Sequence, residues 1–208
     1  MNGMEPILAI FVGVGLAAAC GFRVFVPMLV MSIAARSGHL SLNEHFDWIG
    51  SNPAILTFAV ATALEIGGYY IPWLDNLLDS IATPAAGVAG TIATAACISD
   101  MNPMLTWSLA IIAGGGSAIA VQGLTVVTRG ASSLTTGGIG NPVISTAEAG
   151  LAFGASTLFI IVPIIAAVCV LGLAFLIIRA IVRRVMRPHP VTPEMIVPLV
   201  DEPQAPRA

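Results

Sequence analysis

Lysine is absent from this 208-residue chain, and charge of either sign is scarce: Asp, Glu and Arg together make up 9% of it. A soluble domain carries about 25% charged residues. With 57% hydrophobic residues and a mean hydropathy of +0.94, this chain cannot cover a globular surface with so few charges. That excludes an ordinary soluble enzyme and makes an integral membrane protein of it. Basic charge is scarcer still where nucleic acid would need it. Residues 1–178 hold only Arg23, Arg36 and Arg129 against eight carboxylates, which leaves no basic face for nucleic acid. Cysteine is limited to Cys20, Cys97 and Cys169, each inside an apolar stretch. An odd count in such segments argues against a disulfide frame, and no zinc-type spacing exists.

Leu16-Ala17-Ala18-Ala19-Cys20 faintly resembles a lipoprotein cleavage site. The preceding stretch, however, carries Glu5 and no positive charge, and apolar sequence resumes directly after Arg23. The N-terminal region therefore reads as the first membrane segment.

Apolar runs give five candidate spans: Ile7–Ala35, Ala54–Ile71, Ala82–Ile98, Met104–Thr128 and Leu151–Ile178. The fold class is all-α, a polytopic helical membrane protein with broken or re-entrant segments. As one helix, Ile7–Ala35 would be about 43 Å long against a hydrocarbon core of about 30 Å. It must tilt, kink or split into half-helices, and Gly21, Arg23 and Pro27 mark the place. Pro163 is the corresponding kink in the last span. Residues 82–96 are almost all small, which suits a central helix with close backbone approaches. The Gly-rich stretch Ala113–Ser117 offers the same.

Five arginines lie in the last thirty residues, so the C-terminus is expected on the cytoplasmic side. With five spans the N-terminus then lies outside; a re-entrant first segment would put it inside. Asp75, Asp79, Arg129 and Glu148 all fall on one side, with Glu65 below them in the bilayer. The membrane domain spans residues 1–180; residues 181–208 form a basic, then Pro-rich tail expected to be disordered from Pro188 onward.

Two stretches echo each other. Asn52-Pro53-Ala54-Ile55-Leu56-Thr57 matches Asn141-Pro142-Val143-Ile144-Ser145-Thr146 at four of six positions. Upstream, Ala19–Phe25 loosely matches Val121–Val127. The candidate repeats are residues 15–73 and 115–165, each an interrupted helix, a loop and an Asn-Pro helix start. Three spans lie between their starts, so the copies would be inverted, a transporter architecture with its site at the repeat interface. In so Ala-, Gly- and Val-rich a chain, coincidence is the competing explanation.

Few residues carry chemistry. Glu65, deep in the second span, must face protein, water or a cation. It is either an ion or proton site or a buried structural hydrogen bond, with Arg23 a candidate partner. Asp75 and Asp79 are four apart and share a helix face. They suit Mg²⁺ or another hard cation, or else form the wet face of an interfacial helix anchored by Tyr69, Tyr70 and Trp73. Thr128–Pro142 is rich in Gly, Ser and Thr, as expected of non-helical backbone lining a cavity or of a surface loop. Its Gly137, Gly138 and Gly140 amides, with Arg129, would hold an anion; Asn141 and Glu148 follow. His39, Glu44, His45 and Asp47 form a polar loop that reads as solvated more readily than as a metal site.

The motifs Gly21-Phe22-Arg23-Val24-Phe25-Val26-Pro27, Leu64-Glu65 and Ile71-Pro72 with Asp75-Asn76-Leu77-Leu78-Asp79 resemble the DUF4126 family of bacterial membrane proteins, a domain of unknown function. So do Pro84 with Gly87, and Gly137–Pro142 ending in Glu148. The resemblance covers roughly residues 10–180. Family members commonly carry a charged pair after the second-span glutamate, where this chain has Gly67-Gly68-Tyr69-Tyr70. The resemblance implies multi-pass topology and no assigned activity.

The first functional reading is a small transporter or channel-like protein for an ion or small polar or anionic solute, with Arg23, Glu65, Arg129, Asn141 and Glu148 as binding residues. It would act as a homo-oligomer, a dimer above all. The alternatives are an Mg-dependent enzyme acting on a lipid-linked phosphate through Asp75 and Asp79, or a non-catalytic membrane assembly protein. No nucleophile or histidine base accompanies the aspartates, so the chain leans away from an enzyme.

Overall fold

The computed structural model describes residues 5–99 and 101–185. Of Asp75 and Asp79 it describes the backbone only, and the Pro-rich tail lies outside the described residues. Among the described residues the fold is all-α. Eight α-helices run as α1 (Glu5–Cys20), α2 (Phe25–Arg36), α3 (Asn52–Gly68), α4 (Pro72–Cys97), α5 (Pro103–Leu109), α6 (Gly116–Thr136), α7 (Asn141–Ile161) and α8 (Pro163–Val185). A 3₁₀ segment, Glu44–Gly50, precedes α3. A π-helical segment, Ala110–Gly115, joins α5 to α6. The described residues divide into two units at Gly172.

Local chemistry sets the helix starts. Ser51 Oγ accepts the Ala54 N–H at 3.3 Å, and Asn102 Oδ1 accepts that of Met104 at 2.9 Å. Prolines 53, 72, 103 and 142 stand in the first turns of α3, α4, α5 and α7, where their missing N–H costs nothing. Helix α6 ends at Gly137, whose φ of 62° is the left-handed conformation that terminates helices without a Cβ penalty.

Among the described residues four helical stretches are long and apolar enough to cross a membrane: Ser80–Cys97, Pro103–Thr136, Asn141–Ile161 and Pro163–Arg183. A fifth forms if the Glu44–Gly50 and Asn52–Gly68 pair, bent by 62°, counts as one span. The boundaries differ from the sequence expectation in three places. Ile7–Ala35 is split into two short helices, the half-helix alternative. Leu151–Ile178 is two helices, because Val162 leaves helical geometry (φ −129°, ψ 78°) just before Pro163. The segment Thr128–Pro142, expected as non-helical backbone, is helical through Thr136. Only residues 137–140 turn, since Ser132, Thr135 and Thr136 stay in the helix and direct their hydroxyls to its own backbone or to one another.

Helix α4 packs against α1, the π segment and α6. Half of its Ser80–Cys97 window is buried, the largest share among the four spans. Small residues make this possible. A Cβ on Gly90 would meet Ala118 Cβ at 2.7 Å and Ala17 Cβ at 3.2 Å, and one on Gly114 would meet the Gly90 carbonyl oxygen at 2.7 Å. The core around these contacts comprises Val12, Leu16, Cys20, Met31, Ala86, Ala93 and Ala118.

Candidate functional site

The site begins at the break between α1 and α2. Gly21 and Phe22 close α1 with short-range bonds to Ala18 and Ala19 carbonyls, both at 3.0 Å. Gly21 lies against the backbone of α6. A Cβ there would stand 2.5 Å from the Ala118 carbonyl oxygen and 2.9 Å from the Gln122 nitrogen. No larger residue allows this approach, so glycine is required at the point where the chain leaves the helix.

Helix α2 starts without a side-chain cap of its own. Glu65, four turns into α3, supplies one: Oε1 accepts the Val24 N–H at 2.7 Å and Oε2 that of Phe25 at 3.0 Å. A carboxylate at a helix N-terminus meets free amide donors and the positive end of the helix dipole. Burial of Glu65 inside an apolar bundle is thereby compensated on both oxygens. These bonds have the form of the structural reading of Glu65, made to backbone amides next to Arg23.

Arg23 is 1% exposed. Its Nη2 donates to the Ser145 carbonyl oxygen at 3.0 Å and to Ser145 Oγ at 2.6 Å, and lies 3.4 Å from Glu148 Oε2. Arg129 reaches the same carboxylate from α6 with two donors. Its Nε is 3.2 Å from Glu148 Oε1, and its Nη2 bonds Oε2. Such a two-point contact is the strong form of an arginine–carboxylate pair. The Tyr69 ring lies under both cations, with the guanidinium carbons of Arg23 and Arg129 at 3.7 Å and 4.0 Å from its centroid. Next to it, Tyr70 Oη and Thr146 Oγ1 are 2.8 Å apart, tying the end of α3 to α7.

Helical spacing explains the convergence. Glu65 and Tyr69 are four apart on α3; Ser145 and Glu148 are three apart on α7. Gln122, Thr125 and Arg129 continue one buried face of α6. The structure therefore gathers Arg23, Glu65, Arg129 and Glu148 into one buried cluster. Tyr69 and Ser145 join it, neither of them read from the sequence as a site residue. Tyr69, read as an interfacial anchor, is buried instead, because the two arginines need its face and supply partners that lipid would not.

The other candidates lie elsewhere or are partly described. Asn141 stands in the first turn of α7, and its Nδ2 donates to Ser133 Oγ at 3.1 Å across the turn. The Gly140 N–H donates to Thr136 Oγ1 at 3.1 Å, so it is not held ready for an anion. Asp75 and Asp79 lie in the opening turns of α4, with their side chains outside the described part. Among the described residues no group of three or more His, Cys, Asp or Glu is placed to hold a metal ion. In the first loop, His39 Nδ1 is 2.9 Å from Ser37 Oγ at an exposed position. Glu44 and His45 line an open cavity of about 720 Å³ with Phe46, Met101 and Trp107.

One feature of the cluster is incomplete. Arg23 Nε and Nη1 are buried and have no hydrogen-bond partner among the described residues. Nε carries one N–H and Nη1 two, so three of the five guanidinium donors are unmet. Leaving a buried donor unmet costs about 1–3 kcal/mol, and more when it is charged.

An all-α bundle with apolar outer helices and a charged cluster folded inside defines a polytopic membrane protein. Its sequence matches the domain of unknown function DUF4126 over residues 10–183, and the chain belongs to that family. No curated protein and no solved structure matches it.

Proposed function

We propose that this protein is a small carrier or channel-like protein that takes a small polar or anionic solute at the break between α1 and α2. The observation that carries the reading is the buried, only partly satisfied guanidinium of Arg23, beside the Arg129–Glu148 pair. Broken helices whose ends meet charged groups inside a membrane bundle are a recurrent way to build a solute site. Polar groups in such a bundle are costly, and a site that changes partners during a cycle gives them a use.

The candidate inverted repeat fits this reading in part. Helices α3 and α7 both begin Asn-Pro, both pack on α2, and each brings one carboxylate, Glu65 or Glu148, to the cluster. The match upstream is looser, for Val121–Val127 is continuous helix where Gly21–Val24 is a break. We place the protein in a bacterial inner membrane as a homodimer. The C-terminus is cytoplasmic, on the charge of Arg179, Arg183, Arg184 and Arg187. The Mg-dependent enzyme remains the second proposal, on the four-residue spacing of Asp75 and Asp79 within α4.

The test is flux. Purified protein in liposomes is offered labelled acetate, formate, bicarbonate and a neutral amide under a concentration gradient, with and without Mg²⁺. Uptake above protein-free liposomes, independent of Mg²⁺ and weakened in Ser145→Ala, supports the reading. Absence of flux for every probe, or turnover of a lipid-linked phosphate that requires Mg²⁺ and Asp79, contradicts it.

A further inference from the structure

The open cavity of about 720 Å³ lies between the Glu44–Gly50 segment, the turn after α4, and α5. It follows the C-terminal end of α2, whereas the charged cluster gathers at the N-terminal end of that helix, so the two are separate places in the fold. Its volume is that of a pocket for a small organic molecule. Asn43 builds one wall. Its backbone N–H donates to the Ala96 carbonyl oxygen at 2.8 Å and its Nδ2 to that of Ile98 at 2.9 Å, while its Oδ1 accepts the His45 N–H at 3.0 Å. The first loop is thereby fastened to the end of α4. Phe46 stands beside Trp107 of α5, with ring centroids 6.4 Å apart.

Three features set the chemistry of this cavity. Phe46 and Trp107 give it an aromatic wall, which attracts cations through the ring quadrupole. Glu44 and His45 are the ionisable residues that line it among the described residues, and no arginine does. The Glu44 carboxylate has no hydrogen bond or ion pair among the described residues. Thr106 also lines the cavity and is only 8% exposed, yet its hydroxyl has no hydrogen-bond partner among the described residues. A buried hydroxyl left unmatched is costly, and a ligand that supplies its partner recovers that cost.

We propose that this cavity binds a primary ammonium group carried on an apolar body. An ammonium N–H donates to Thr106 Oγ1, Glu44 meets the charge, and the body lies against Phe46 and Trp107. A primary ammonium has three N–H donors and a quaternary one has none, so Thr106 tells the two apart. A soluble amine and the ethanolamine headgroup of a phospholipid both present this group.

The experiment is a titration read by tryptophan emission in the full chain carrying Trp48→Phe and Trp73→Phe, so that Trp107 alone reports. Protein in phosphatidylcholine nanodiscs near pH 8, where an alkylamine is protonated, receives 2-phenylethylamine, its trimethylammonium derivative, 2-phenylethanol or 3-phenylpropanoate. The amine is expected to bind about tenfold more tightly than the alcohol or the trimethylammonium derivative. Thr106→Val loses the preference for the amine over the trimethylammonium derivative, and Thr106→Ser keeps it. Glu44→Gln weakens the amine about threefold and leaves the alcohol unchanged; on its exposed segment it serves if Thr106→Val does not fold.

Exchange of phosphatidylcholine for phosphatidylethanolamine separates the two sources. A lipid headgroup as occupant weakens the amine titration about tenfold by competition, and a soluble amine as occupant leaves it unchanged. Equal binding of amine and alcohol, tighter binding of 3-phenylpropanoate, an amine affinity unchanged in either Thr106→Val or Glu44→Gln, or Trp107 emission that no amine moves overturns the proposal.

Discussion

Glu65 and Val24, forty-one residues apart, are joined by a 2.7 Å bond from the Val24 N–H to a buried carboxylate oxygen. With the second bond to Phe25, the side chain of one helix caps the start of another. The half-helix α2 thus owes its start to α3, and the position of Arg23 follows from it.

Glu65→Ala leaves two amides at the start of α2 without an acceptor. It is expected to cost about 1–3 kcal/mol, with Glu65→Gln intermediate because one oxygen survives. Equilibrium unfolding in mild detergent reads the loss, and amide exchange at Val24 and Phe25 locates it. Unchanged exchange there with a lost solute response would make Glu65 a ligand instead of a cap.

Arg129 and Glu148 form a buried pair, and removal of one partner strands the other. Either Arg129→Gln or Glu148→Gln is expected to destabilise the protein by about 3–5 kcal/mol. The double variant Arg129→Met with Glu148→Leu is expected to lose much less than the sum. A double-mutant cycle checks this; simple additivity would show that the two residues act separately.

Gly114 lies where a Cβ would collide with Thr94 Oγ1 and stand 2.7 Å from the Gly90 carbonyl oxygen. Gly114→Ala is expected to cost about 1–3 kcal/mol through overpacking of α4 against the π segment. Gly123, in the same span, has open space around it. Gly123→Ala is expected to be neutral or to stabilise by up to about 1 kcal/mol. Melting midpoints of the two variants, side by side, decide the matter.

Much of the fold is written in the sequence at its punctuation. Gly21 and Arg23 announce the break after α1, Asn52-Pro53 and Asn141-Pro142 announce helix starts, and Pro163 marks the division between α7 and α8. These signals are local, so they survive without tertiary information. The π segment at Ala110–Gly115 was not legible, because its apolar and small residues read the same in an α-helix. Nor was the helical state of residues 128–136. Serines and threonines favour turns in water, yet within a long apolar span they bond back to their own helix.

At the site, sequence brought forward the four charged members. It missed Tyr69 and Ser145, whose part depends on which faces of α3 and α7 meet. The spacings from Glu65 to Tyr69 and from Ser145 to Glu148 were the signal that would have found them.

A reporter fused to the C-terminus tests the orientation. Cytoplasmic placement predicts activity of a fused fluorescent protein and inactivity of a fused alkaline phosphatase. The opposite pattern would place Arg179 and Arg183 outside and reverse the sidedness of the site.

The most direct test of the central claim, that the buried cluster is a solute site and not a structural brace, is accessibility at Ser145. A single Cys at that position, in a chain with Cys20, Cys97 and Cys169 replaced by Ala, is exposed to a small charged thiol reagent from each side of sealed vesicles. A carrier predicts labelling from both sides, slowed by acetate or nitrate. A structural brace predicts none from either side, with or without anion, and that result would contradict the account.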